Sequence, residues 1–194
     1  LEAKMVFYTK KYNDKMRTFC SNPSGFIAVE KHNDDIMLAN GHAYKNKKST
    51  NTNLALLCTK SFTEPFNQPF EYAASIAKMS TMLTGGKVLC QSYGDLKAGR
   101  RSTDERISRL NIEPTTEDYV AGDISLACPK RILDNIMEFV EAHDKVTPGF
   151  ASNDLLLYFP EIKFRSTRMT IDSNMETTIK GLYSAGDSSG YGSG

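Results

Sequence analysis

What this sequence has little of narrows its function before any motif is read. Charge of one sign is not in excess: 24 Lys and Arg stand against 23 Asp and Glu, a formal net charge of +1. Such balance gives no global field that would steer nucleic acid or an anionic membrane toward the chain. Long apolar runs are missing, and stretches such as Leu54 to Cys58 fall far short of a membrane span. Cysteines are few, at positions 20, 58, 90 and 128, and no two form a Cys-x-x-Cys pair, which argues against structural zinc. No charged-then-apolar leader opens the chain, so reduced thiols in a cytoplasm are the expected setting. His-Glu-x-x-His and calcium-loop spacings are lacking, as is a Gly-x-Ser-x-Gly elbow, so hydrolase and metal readings fall away and no metal ligands are expected. Missing too is the Gly-x-Gly-x-x-Gly loop that cradles a pyrophosphate after a strand. The polypeptide is therefore not expected to hold a dinucleotide by that mechanism alone, and reads as a piece of a larger protein.

What is present is an ordinary globular composition, 40% hydrophobic and 24% charged, in a chain long enough to bury a core. Residues 3–8 alternate as a strand. Ser21 to Gly25 is a strong turn, and Phe26 to Glu30 with Ile36 to Leu38 forms a hairpin around His32 to Asp35. Asn40-Gly41 punctuates the chain. Leu54 to Thr59 suits a strand covered on both faces, and Lys87 to Gln91 a short strand. A helix is expected over Asn67 to Leu83, capped by Asn67, with Pro69 in its first turn and Gly85-Gly86 closing it. Its stripe would be Phe70, Ala73, Ala74 and Ala77. A second helix, Pro129 to His143, sets Ile132, Leu133, Ile136, Phe139 and Val140 on one face. Residues 155–159, 162–165 and 168–171 read as strands. Strands outnumber helices without alternating regularly with them, so the class is α+β: a mostly antiparallel sheet or partial barrel with two main helices.

The last stretch carries the sharpest signal. Leu182, Tyr183, Ser184 and Ala185 suit a short buried strand, Gly186 lets another molecule approach the backbone, and Asp187 presents a carboxylate where that strand must end. A sugar hydroxyl is the kind of group such a run can grip. Ala121-Gly122-Asp123 repeats the tripeptide without the Gly-Leu-Tyr approach and reads as an ordinary turn. Glu176-Thr177-Thr178 together with Gly181-Leu182-Tyr183-Ser184-Ala185-Gly186-Asp187 resembles the C-terminal flavin-binding motif of two-dinucleotide-binding-domain flavoproteins. Arg17-Thr18-Phe19-Cys20, Gly41-His42-Ala43-Tyr44, Thr52 to Leu57 and Pro160 to Arg165 resemble the C-terminal half of bacterial FAD-dependent (NAD/FAD-utilising) dehydrogenases. The resemblance implies that Asp187 binds a ribityl hydroxyl of FAD, with Ala185, Gly186, Ser188 and Gly190 as cofactor-binding neighbours. It implies a substrate or cap domain over residues 1–171. Residues 172–194 would begin a C-terminal FAD-binding segment, ending in a strand that belongs to a flavin-binding α/β domain. FAD is the implied cofactor of the intact protein and NAD(P) a second candidate. The implied partners are an N-terminal FAD-binding domain and a small-molecule substrate, with neither nucleic acid nor membrane among them. The fragment alone would be inactive.

Flavin enzymes leave the electron chemistry to the cofactor, so a substrate-side domain should supply donors and a thiol or base. Arg17 can bind a carboxylate or phosphate bidentately, and Cys20 beside a Pro/Gly turn is a candidate thiol. His42, between Gly41 and Tyr44, is the histidine placed like an acid or base. Packed structural roles remain open for all three. Two basic stretches, Lys45 to Lys48 and Arg100 to Arg109, are either solvated loops or phosphate contacts. A non-catalytic nucleotide- or RNA-binding module using them is the alternative function. Balanced charge and the lack of a single-stranded-RNA aromatic motif weigh against it.

Overall fold

In the computed structural model, which describes residues 4–33, 35–163 and 169–186, the front of the chain is strand-rich. The strands are β1 (Val6–Tyr8), β2 (Lys15–Asn22), β3 (Phe26–Asn33), β4 (Ile36–His42) and β5 (Asn53–Cys58). Then follow α1 (Pro69–Thr84), β6 (Val88–Ser92), α2 (Tyr93–Lys97), α3 (Asp104–Ile107), β7 (Tyr119–Ala121), a 3-10 turn Ile124–Leu126, α4 (Lys130–Asp144) and β8 (Leu156–Phe159). The class is α+β, with two long helices and mostly antiparallel pairing. Three sheets form, ordered β1-β2-β5, β3-β4 and β7-β6-β8, and no closed barrel occurs among the described residues. Among the described residues the single parallel pair is β6 with β7. No helix among the described residues is long and apolar enough to cross a membrane.

The chain divides into two compact units, Leu1–Ile162 and Lys163–Gly194. In the first, burial follows the side-chain period. Along β2, Met16 and Thr18 point inward at 0% and 7% exposure, while Arg17 and Phe19 lie on the other face. The expected hairpin is β3-β4, longer than anticipated: Asn40-Gly41, taken as punctuation, is inside β4. Every residue of β6 is buried, as suits a strand paired on both sides, and its one amide is satisfied. Gln91 donates to the Arg100 carbonyl and accepts from the Ile124 N–H.

The two long helices differ in legibility. α4 buries Phe139 and Val140 and packs Ile132, Leu133 and Ile136 against Leu89, Ile124, Ala127 and Cys128, as its apolar stripe predicts. α1 buries Ala77, as its expected stripe had it, but with Ser80, Thr81 and Thr84, while Phe70 is 41% exposed. Hydroxyls can face this core because each finds backbone. Thr84 bonds the carbonyls of Ser80 and Thr81, Thr81 accepts from Met37 N–H, and Ser80 donates to the Phe159 carbonyl. The N-cap is Gln68 rather than Asn67, with no side-chain cap, whereas Gly85 does close the helix in the left-handed region (φ 62°).

The second unit is built from local turns in its described part. Asp172 Oδ1 accepts from the N–H groups of Asn174 and Glu176, and Thr177 N–H donates to the Leu182 carbonyl. Pairing is limited to the bridges Ile171–Thr177 and Glu176–Tyr183. Where a buried strand Leu182 to Ala185 was expected, only Ser184 is buried, and Leu182 and Tyr183 are 47% and 62% exposed. Residues 162 and 163 are not in a strand, and residues 164–168 of the expected strands lie outside the described residues.

Candidate functional site

Three stretches that carry the dehydrogenase resemblance meet in the first unit at one pair of amides. β2 and β5 pair as far as Asn22 opposite Asn53, with a bulge between Phe19 and Asn22. Asn22 Nδ2 donates to Asn53 Oδ1 (3.0 Å) and to the Cys20 carbonyl (3.1 Å), and Asn53 Nδ2 donates to the Phe26 carbonyl (3.1 Å). Gly41 packs directly on this pair: a Cβ there would overlap Asn53 Oδ1 and Asn22 Nδ2. The Arg17–Cys20, Gly41–Tyr44 and Thr52–Leu57 stretches are thereby held together, although 31 residues separate the two asparagines.

On the outside of this hub lies a group of rings. His42 and Tyr44 stack edge to face at 4.4 Å, Phe26 and Tyr44 at 5.4 Å, and Lys47 Nζ sits 4.7 Å from the Phe26 ring centre. His42, Tyr44, Lys45, Lys47 and Lys48 are exposed, in and after the end of β4. The 45–53 loop is tied down through Ser49, whose N–H donates to the Ser24 carbonyl and whose hydroxyl donates to that of Gly25.

The expected site residues divide accordingly. Cys20 and His42 come to the same end of the sheets through the hub. Arg17 does not join them: its guanidinium lies over the Phe19 ring at 5.3 Å, where Lys4 also approaches at 5.6 Å. Nor is 17–20 a loop; it is strand, with Cys20 at φ 44°, in the left-handed region that non-glycine residues rarely adopt. Ala185 and Gly186 are exposed in the second unit, Gly186 at φ 66°. Asp187, Ser188 and Gly190 lie outside the described residues.

The second basic stretch is occupied by internal pairing. Asp95, 4% exposed, accepts from Arg100 Nε (2.6 Å), Ser102 Oγ (2.8 Å) and Arg106 Nη1 (3.4 Å). Burial pushes the Asp95 carboxyl up, and these partners together more than reverse it, so it titrates below its ordinary value. Arg109 pairs with Glu105, and Lys97 sits over the Tyr93 ring at 4.7 Å. Arg100 and Arg106 thus build structure around the β6–α2 corner.

A family model described as "FAD-dependent protein, C-terminal domain-like" matches residues 2–163. The chain belongs to that family. It is thus a domain of FAD-dependent proteins, and FAD is the cofactor that membership supports. Among curated proteins, no relative matches. The match takes in the hub and ends before the Gly181–Asp187 run.

For this FAD-dependent protein domain, sequence reading missed one concentration of charge. The β1–β2 turn places Asp14 against α4 and the chain after β5. Arg131 donates twice to Asp14 (Nε and Nη2, each 2.8 Å), Asn135 Nδ2 donates at 2.7 Å, and Lys60 forms an ion pair with the same carboxylate. Arg131, helped by Lys60 and Asn135, holds the Asp14 carboxyl well below the usual range against the opposing effect of burial. A cavity of about 460 Å³ opens beside it. No motif marks it, because its residues come from four separate stretches. The buried thiols are not candidates for nucleophiles: burial pushes Cys90 and Cys128 each up to about 12.

Proposed function

We propose that the chain is the substrate-side domain of an FAD-dependent oxidoreductase, a dehydrogenase, and that its Gly181–Asp187 run belongs to the flavin site. The observation that carries this reading is the convergence of the resembling stretches on the Asn22–Asn53 pair, beside the half-buried ring of Phe26, the exposed rings of His42 and Tyr44, and Lys47. Flat ring faces next to an ammonium suit a planar, anionic group such as a flavin nucleotide or its substrate. Cys20 adds support: a left-handed non-glycine residue at a bulge stores strain of a kind that concentrates at functional sites. His42 would exchange protons and Cys20 would present its thiol, while Arg17, farther back along β2, would bind an acidic group at the far end of a substrate. Asp187, with Ala185, Gly186, Ser188 and Gly190 about it, would accept from a ribityl hydroxyl. When bound, FAD supplies the electron chemistry, and the chain supplies binding, orientation and proton exchange. An N-terminal dinucleotide-binding domain with the Gly-x-Gly-x-x-Gly loop would complete the site in the cytoplasmic protein, with NAD(P) as the electron partner that the resemblance suggests.

Titration calorimetry of FAD into the flavin-free full-length protein tests the reading. An ionised carboxylate accepting from a hydroxyl contributes roughly 1.5–3 kcal/mol, so Asp187→Ala should weaken FAD about ten- to a hundredfold. Equal affinities for wild type and variant would remove the assignment.

A further inference from the structure

The cavity beside Asp14 has no part in the proposed flavin site. It lies at the opposite end of β2 from Cys20, with Asp14 about 20 Å away at 3.3 Å per residue. We infer that it is a second binding site, for a small organic anion: a carboxylate or monophosphate carried on a planar or apolar body. Its volume of about 460 Å³ falls within the range of small-molecule pockets. Three cations, Lys15, Lys60 and Arg131, line it with one carboxylate, Asp14. That carboxylate is already committed. Its Oδ2 takes Lys60, Arg131 Nε and Asn135, and its Oδ1 takes Arg131 Nη2. Asp14 therefore fixes the two cations in position and neutralises only one charge.

Lys60 is 17% exposed and spends one of its three donors on Asp14, which leaves two to meet a ligand. Pro129 and the first turn of the 15-residue α4 form part of the wall, and the positive end of that helix adds to the same sign of potential. Three rings, Tyr8, Phe62 and Tyr72, also line it, with Asn13, Thr59, Ser61 and Ile132. Phe62 and Tyr72 meet edge to face at 5.0 Å, and Tyr8 stands opposite in sequence from β1. Cationic donors and aromatic rings lining one cavity fit an anion with a flat or greasy body better than a bare ion.

Titration calorimetry of the full chain with benzoate, phenyl phosphate and inorganic phosphate tests this. Benzoate or phenyl phosphate should bind, and more tightly than inorganic phosphate. Lys60→Met should weaken that binding about tenfold or more, the loss expected of a charge-assisted contact. Phe62→Ala lies outside the charge network, so it reports on the site even if the Lys60 variant fails to fold, and it should weaken the aromatic probes while sparing inorganic phosphate. Lys48→Met, at the other end of the sheets, should change nothing. Absence of binding by every probe at millimolar concentration overturns the inference. So does equal affinity for all three probes, or binding that neither Lys60→Met nor Phe62→Ala alters.

Discussion

Two asparagines hold the candidate flavin-facing end together, and one glycine makes their pairing possible. Asn22 and Asn53 bond each other and also the carbonyls of Cys20 and Phe26, so β2, β3 and β5 depend on two side chains. Gly41 serves here by lacking a side chain, not by its backbone angles, since any Cβ would overlap both amides. Gly41→Ala must therefore push the pair apart and leave half-buried amide groups unsatisfied. A cost of about 1–3 kcal/mol is expected. With no tryptophan in the chain, urea unfolding followed by circular dichroism is the suitable measurement. Ala43→Gly, two residues on in the exposed loop, should stay near wild type. A Gly41→Ala midpoint unchanged from wild type would show that the amide pair does not bear on stability.

Between elements, the tightest polar clamp joins the β1–β2 turn to α4. Asp134 accepts from Lys11 Nζ and Tyr12 Oη, each at 2.8 Å, and from Lys130 one turn back; Lys10 N–H donates to Glu138. Asp134→Ala should therefore destabilise the fold by about 1–3 kcal/mol, more than an isolated surface pair would. A double-mutant cycle with Tyr12→Phe should give a clear coupling energy; strict additivity would mean that the phenol and carboxylate act independently. This clamp also shows where sequence reading stops. The β3–β4 hairpin and α4 were legible because alternation and the 3.6-residue stripe are local patterns. The buried face of α1 was not, since Ser80, Thr81 and Thr84 look polar until the backbone groups they bond are in place. Likewise Asp14 and Arg131 are 117 positions apart, and no spacing rule reaches across that distance. At the candidate site, Cys20 and His42 were picked out by their neighbours in sequence. The asparagines that bring them to one place lie in segments the sequence did mark, a turn and a resembling stretch, but nothing local shows that the two pair across 31 positions.

For the whole molecule, a net charge of +1 conceals strong local pairing, and acid should expose it. Asp14, Asp95 and Asp134 each gather two or more cations, and all three titrate below the ordinary carboxylate value. A folded pKa below the unfolded one means that the unfolded chain takes up more protons, so stability rises with pH across that window. The aspartate contribution is complete above about pH 4, the unfolded value, and is lost as pH falls toward the folded values. His143 adds a step at higher pH. Burial holds its imidazole below the usual 6.5, although Asp144 nearby pulls the other way. Packed between Phe139 and Phe150, with Nδ1 buried and lacking a hydrogen-bond partner among the described residues, the ring is poorly placed to become an imidazolium. Its folded pKa is also the lower one, so its contribution is present above about 6.5 and fades as pH drops below that. Stability of the chain, read from urea midpoints at a series of pH values, should thus fall in two stages. A shallow decline begins below about pH 6.5 and a steeper one below about pH 4. His143→Leu should abolish the first and leave the second, whereas Asp134→Asn should reduce the second and leave the first. A single transition shared by wild type and both variants would show that neither the buried imidazole nor the clamped carboxylate controls the acid response.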